Sequence, residues 1–157
     1  MLTSLYFNSV GGAEYELNND IAPMNLFDPQ VAQRVVTDRD KMQAHGTWPT
    51  FSYRGGMEIH CEGALLADDS GDYNTKRLAL VTALFGDPDD AVTERKLGDL
   101  VPTFDDQDEA WTTEVTINAF SAPLTGASPG YTLYLVTFFS WTPYFTGVDS
   151  NNKYYYS

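Results

Sequence analysis

The chain offers few residues with which to do chemistry: one cysteine, two histidines, and 22 Asp and Glu against 9 Lys and Arg. His60 and Cys61 are adjacent, a pairing that invites a metal-ligand or activated-thiol reading. However, Met57, Ile59, Cys61, Gly63 and Leu65 alternate with Glu58, His60, Glu62 and Ala64, which predicts a half-buried strand. Neighbours on a strand point to opposite faces, so these two cannot share a ligand or pass a proton. A Cys–His dyad would have to recruit His45, and no pattern brings it there. Cys61 is expected to be a small buried apolar residue. Glu58 and Glu62 share the other face, but four strand residues separate them by roughly 13 Å. Paired-carboxylate hydrolysis needs about 5–9 Å. A solvated outer face accounts for them better, and a small hydrolase using Glu58, Glu62 or Asp72 has little else to rest on.

Asp68-Asp69-Ser70-Gly71-Asp72 faintly resembles a calcium loop, yet the twelfth position from Asp68 is Ala79, where a bidentate acid is required. Helix capping explains these acids adequately. Asp105-Asp106-Gln107-Asp108-Glu109 reads as a solvated hairpin turn. Gly11-Gly12 and Gly55-Gly56 lack the strand–helix setting and the Lys-Ser/Thr of a phosphate cradle. No serine sits in a nucleophile elbow. The expectation is therefore no catalytic residue, no bound metal and no cofactor.

The elements that would position these groups are mostly strands. From Ser70 to Phe85, Tyr73, Leu80, Val81, Leu84 and Phe85 recur at helical spacing with Leu78 beside them. Ser70 and Asp72 are the N-cap candidates, and Gly86 before Asp87-Pro88 is a stop. A lone amphipathic helix must lie on a sheet. Trp111, Thr113, Val115, Ile117 and Ala119 alternate with polar residues, and Leu97–Phe104 precedes them across the turn Asp105–Ala110, so 97–120 predicts a β-hairpin. Thr132–Ser140 is apolar on both faces, which predicts a central strand or one covered by a partner. Leu2–Phe7, Glu14–Leu17 and Arg34–Thr37 are weaker strand candidates. Pro23, Pro29, Pro49, Pro102 and Pro143 mark strand ends or edges. The fold class expected is mainly β, a β-sandwich flanked by a single helix at about 70–85.

Charge and composition narrow the function. A formal charge of −13 on 157 residues would repel phosphates and anionic lipid, which argues against sequence-reading DNA binding. No apolar run approaches the roughly 20 residues that span a bilayer. Met1-Leu2-Thr3-Ser4 shows no basic stretch leading into an apolar one, so synthesis in the cytoplasm is expected. Residues 87–114 hold ten acids and only Arg95 and Lys96, a net of −8. Residues 131–157 are neutral and hold 10 of the 22 aromatics. Phe138, Phe139, Trp141, Tyr144, Phe145, Tyr154, Tyr155 and Tyr156 exceed what one strand can bury, and two readings stand side by side: a well-packed core strand with a sticky tail, or subunit contact.

One run of residues carries a resemblance. Arg54-Gly55-Gly56-Met57-Glu58-Ile59-His60-Cys61-Glu62-Gly63 is followed by a short Asp/Ser stretch. A helix bearing Lys76-Arg77-Leu78 and ending Ala83-Leu84-Phe85 comes next, then a strand pair. Over residues 54–88 this resembles the core domain of distal tail proteins and the related tail-tube proteins of long-tailed bacteriophages. The resemblance implies a β-sandwich with one helix, assembling as a ring, usually sixfold, around the DNA channel. It implies a non-enzymatic structural virion protein made in the host cytoplasm, whose partners are copies of itself and other tail proteins. DNA would pass without specific binding. On this reading residues 1–157 are one ring-forming domain, with an extended arm or loop within 8–49 and a short tail at 147–157. Phe138, Phe139, Trp141, Tyr144, Phe145, Tyr154 and Tyr155 are the candidate subunit contacts, and Asp105, Asp106, Asp108 and Glu109 the candidate channel-facing acids. A tail-tube or tube-terminator subunit of the same fold, and a carbohydrate-binding β-sandwich module using the late aromatics, stay open as alternatives.

Overall fold

A computed structural model of the chain describes residues 1–9, 14–19, 23–30, 34–40, 47–54, 56–86, 97–123 and 130–154. Chain order is β1 (Leu2–Ser9), β2 (Glu14–Glu16), β3 (Met24–Gln30), β4 (Arg34–Asp40), β5 (Thr47–Arg54) and β6 (Met57–Ala67). The helix α1 (Ser70–Phe85) follows, then β7 (Leu97–Phe104), β8 (Thr113–Ser121), β9 (Gly130–Ser140), β10 (Phe145–Thr146) and β11 (Lys153–Tyr154). The protein is mainly β with one helix among the described residues, as the periodicities predict.

Seven strands form one antiparallel sheet in the order β2-β1-β7-β8-β9-β6-β3. Laid flat, its two edges would lie about 29 Å apart at the usual strand spacing. Instead the Met24 N–H, on the β3 edge, donates to Asn18 Oδ1 just after β2 at 3.0 Å. Tyr134 of β9 donates to the Leu17 carbonyl at 3.1 Å, and the Phe7 and Phe138 rings lie 5.7 Å apart. The sheet therefore curls until β2-β1-β7 faces β9-β6-β3, giving sandwich-like layers from a single sheet. The corner is β8. Its ladder with β7 is only four residues long, Leu97↔Thr116 to Leu100↔Thr113. Its ladder with β9 slips between Ile117 and Ala119. That irregularity reverses the facing of the strand: Thr113, Val115 and Ile117 are buried, then Ala119 is exposed and Phe120 and Ala122 turn inward. The simple alternation that placed Ala119 inside fails for this reason.

Leu5, Phe7, Met57, Ile59, Leu65, Leu100, Val115, Tyr134, Val136 and Phe138 fill the space between the layers. The helix adds Tyr73, Leu80 and Leu84, and packs on β6 and β1. It is tied down by polar contacts at strand ends. Tyr73 Oη donates to the Pro123 carbonyl at 2.5 Å, Arg77 Nε to the Ala122 carbonyl at 2.9 Å, and Lys76 Nζ to the Leu66 carbonyl at 2.8 Å. Its N-cap is Asp69, whose carboxylate accepts from the Asp72 N–H at 2.8 Å, rather than Ser70 or Asp72. Gly86 ends it at φ 92°, with its N–H on the Thr82 carbonyl at 2.8 Å.

The prolines respect the ladders. Pro29 lies on the edge strand β3, and Pro102 on β7 beyond the four residues that pair with β8. β4 and β5 pair only with each other, from Arg34↔Arg54 to Asp40↔Thr47, and form a hairpin outside the main sheet.

Candidate functional site

The catalytic and metal readings find these placements. Cys61 is 2% exposed, and burial pushes its thiol far above the ordinary range, which holds it protonated. His60 points to the other face. Its Nε2 lies 3.4 Å from Glu58, and its Nδ1 lies 3.3 Å from Thr137 Oγ1. His45 lies outside the described residues. Asp72 accepts from Lys76 Nζ at 2.8 Å and from the Asp68 N–H at 3.1 Å, and the Lys76 contact holds its carboxyl below the usual range. Among the described residues no three or more of His, Cys, Asp and Glu are grouped to hold a metal ion. No described helix is long and apolar enough to cross a membrane.

The late aromatics separate into two sets. Phe138 and Phe145 are 0% exposed within the protein's own core, so neither is free to touch a neighbour. Tyr154 is stacked on Trp111 at 4.7 Å, and Trp111 also stacks on Phe145 at 6.0 Å. Phe104 lies 5.5 Å from Trp111 and 5.9 Å from Phe27, which continues this aromatic chain across the sandwich. Phe139 and Tyr144 are half-buried, and only Trp141 is well exposed. Tyr155 and Tyr156 lie outside the described residues. The segment thus packs mainly against its own molecule, because β10 and β11 fold back over the turn before β8. Thr112 and Thr146 exchange both backbone hydrogen bonds, at 2.9 and 2.8 Å.

Glu109 organises that return. Its carboxylate accepts from the Val148 N–H at 2.9 Å, from Asn152 Nδ2 at 3.0 Å and from the Tyr154 hydroxyl. The Tyr154 contact first, then the other donors, holds its carboxyl below the usual range, and Tyr154 is pushed up in return. A side chain at Gly147 would collide with this carboxylate, which explains glycine there. Glu109 is therefore a clasp, not an acid free to face a channel. Asp105, Asp106 and Asp108 remain exposed at the loop tip, Asp105 beside the terminal amine at 3.4 Å.

The sequence pattern did not name the residues of an outer apolar face. Thr132–Ser140 reads as apolar on both sides, and β9 is an interior strand of the sheet, between β8 and β6. In the structure Tyr134, Val136 and Phe138 face the core while Leu133 and Leu135 are 47% and 50% exposed. Register places Leu26, Glu62 and Leu135 in one row, and Leu66 diagonal to Leu133 in the next. Leu26, Leu66, Leu133 and Leu135 thus make an exposed apolar surface across β3, β6 and β9. The signal was present, since a two-sided apolar strand has to place its second side somewhere.

Solved structures share this architecture. The first is the SPP1 Dit protein, described as a paradigm of the hub adsorption apparatus in phages that infect Gram-positive hosts. It matches with a TM-score of 0.61 at 15% identity over 91% of this chain. This chain has the fold of a phage Dit protein. The baseplate of phage p2 in its activated conformation, with strontium and again with calcium, matches with a TM-score of 0.57 at 7% identity over 86% of the chain. The chain spans about half of the Dit protein, 52%, and 43% of the baseplate chains. No protein-family model and no curated protein matches the sequence. The Dit-like fold is the one that the run at residues 54–88 implied.

Proposed function

We propose that this chain is a non-enzymatic structural protein of a bacteriophage tail, forming a ring of six copies around the channel at the distal end of the tube. The observation that carries this reading is the Dit-like fold along 91% of the chain. Its structural neighbours are a protein of a phage hub adsorption apparatus and chains of a phage baseplate. The alternative position, as a tube or terminator subunit, uses the same fold.

The surface supports a subunit better than a solitary domain. The apolar patch of Leu26, Leu66, Leu133 and Leu135 is the ring contact in this reading, in place of the core residues Phe138 and Phe145. The β4–β5 hairpin is the arm that reaches a neighbouring subunit. Asp105, Asp106 and Asp108 face the bore, where they repel phosphate and let DNA slide.

Light scattering of the purified chain tests this. A mass near six subunits is the expected result. A monomer at high concentration that also fails to join a tail on its tube template contradicts the proposal.

A further inference from the structure

A cleft of about 210 Å³ opens where the β7–β8 ladder meets the end of β9, lined chiefly by Asp99, Thr113, Glu114, Ser140, Trp141 and Thr142. It is smaller than the roughly 300–1,000 Å³ that holds a drug-sized ligand. Its floor is a cluster of three hydroxyls: Thr113 Oγ1 lies 2.7 Å from Ser140 Oγ and 3.4 Å from Thr142 Oγ1, and Ser140 Oγ lies 3.2 Å from Thr142 Oγ1. Thr142 donates to the Tyr144 carbonyl at 3.1 Å, and its N–H donates to Ser140 Oγ at 3.3 Å. Thr113 and Ser140 are 4% and 1% exposed, so these hydroxyls satisfy one another behind the cleft surface.

The rim is acidic. Asp99 and Glu114 are direct cross-strand partners, an unfavourable placement for two like charges, and neither has a salt-bridge partner among the described residues. Both supply acceptors only. One wall is Trp141, 55% exposed and set edge-on against Phe139 at 5.7 Å. A hydrogen-bond acceptor surface beside a flat indole suits a ligand rich in donors that also has an apolar face. The two carboxylates repel anions, and among the described residues no third acid, His or Cys is grouped with them for a metal ion.

We infer that this cleft binds one neutral sugar ring, its C–H face stacked on Trp141 and its hydroxyls donating to Asp99 and Glu114. This goes beyond the ring-forming role and takes Trp141 out of the subunit contact. The apolar patch around Leu133 and Leu135 keeps that task.

Saturation-transfer NMR and calorimetry on the full chain test it, with glucose, galactose and N-acetylglucosamine as neutral probes and glucosamine and glucuronate as charged ones. At least one neutral sugar should bind at about millimolar strength, and glucuronate should not. Trp141→Ala should weaken that sugar at least about tenfold, as loss of the stacking wall requires. Glu114→Gln, an exposed change that leaves the fold intact, should weaken it about threefold or more. Three results overturn the inference: no neutral sugar binding up to about 50 mM, affinity unaltered by both variants, or binding of glucosamine alone that salt abolishes. The last would make the acid pair an ammonium site. Light scattering of the same samples separates the two proposals. Rings without sugar binding sink only this one, and sugar-binding monomers sink only the tail reading.

Discussion

Glu109 shows how one carboxylate can hold a terminal segment without being buried. Its carboxyl is depressed in the folded chain, chiefly by the Tyr154 hydroxyl, so its contribution to stability is complete above about pH 4.5 and is lost as pH falls through the folded value. Acidification should therefore release β10–β11 first. Near-ultraviolet circular dichroism should show it, because Trp111 loses its stacking on Tyr154. Glu109→Gln should remove that acid transition, and an unchanged transition in the variant would assign it elsewhere. At the high end Tyr154, raised by the same contact, contributes below about pH 10 and loses its contribution as pH climbs through its folded value. The sequence could place Glu109 in a polar turn but not against Tyr154, because the contact closes 45 residues of chain. Position in a hairpin turn is local information. Which distant donors arrive there is not.

Among the elements, the helix depends on a few anchors. Asp69→Ala removes the N-cap and should cost about 1 kcal/mol. Leu80→Ala, at a fully buried position on the face against the sheet, should cost about 2–5 kcal/mol. Urea denaturation followed by circular dichroism checks both, and Leu78→Ala, at a 55% exposed position, should move the midpoint little. The helix was legible because 3.6-residue spacing and a Gly-Asp-Pro stop are local signals. β6 and β9 were legible for the same reason. β3 and β5 were not read as strands, since each carries a proline and neither alternates cleanly. The turn of facing at Ala119 was invisible because a bulge is set by the partner strand. β9 lies inside the sheet between β8 and β6, as its two-sided apolar pattern predicts, and its outer face is open in the single chain. A lone strand pattern reports that a residue is apolar, not whether anything lies over it.

At the scale of the whole molecule, the sheet curls over its own core and leaves an apolar face outside among the described residues. Changing Leu133 and Leu135 together to Glu should abolish assembly while moving the urea midpoint by about 0.5 kcal/mol or less, since both side chains point to solvent in the single chain. A large loss of stability would mean that they are part of the core. The net charge of −13 has a clear placement only in part: Asp105, Asp106 and Asp108 are exposed at one loop tip, while Glu109 is tied inward. The fold class and the placement of His60 and Cys61 on opposite faces could be argued from spacing. The contact surface could not, because it is a property of how three strands line up. Electron cryomicroscopy of the tail that carries this chain is the most direct measurement. The account predicts a ring of six copies at the distal end of the tube, with Leu133 and Leu135 covered by a neighbouring subunit and Asp105, Asp106 and Asp108 toward the bore. A tail in which this chain is absent from every ring around the channel would contradict it.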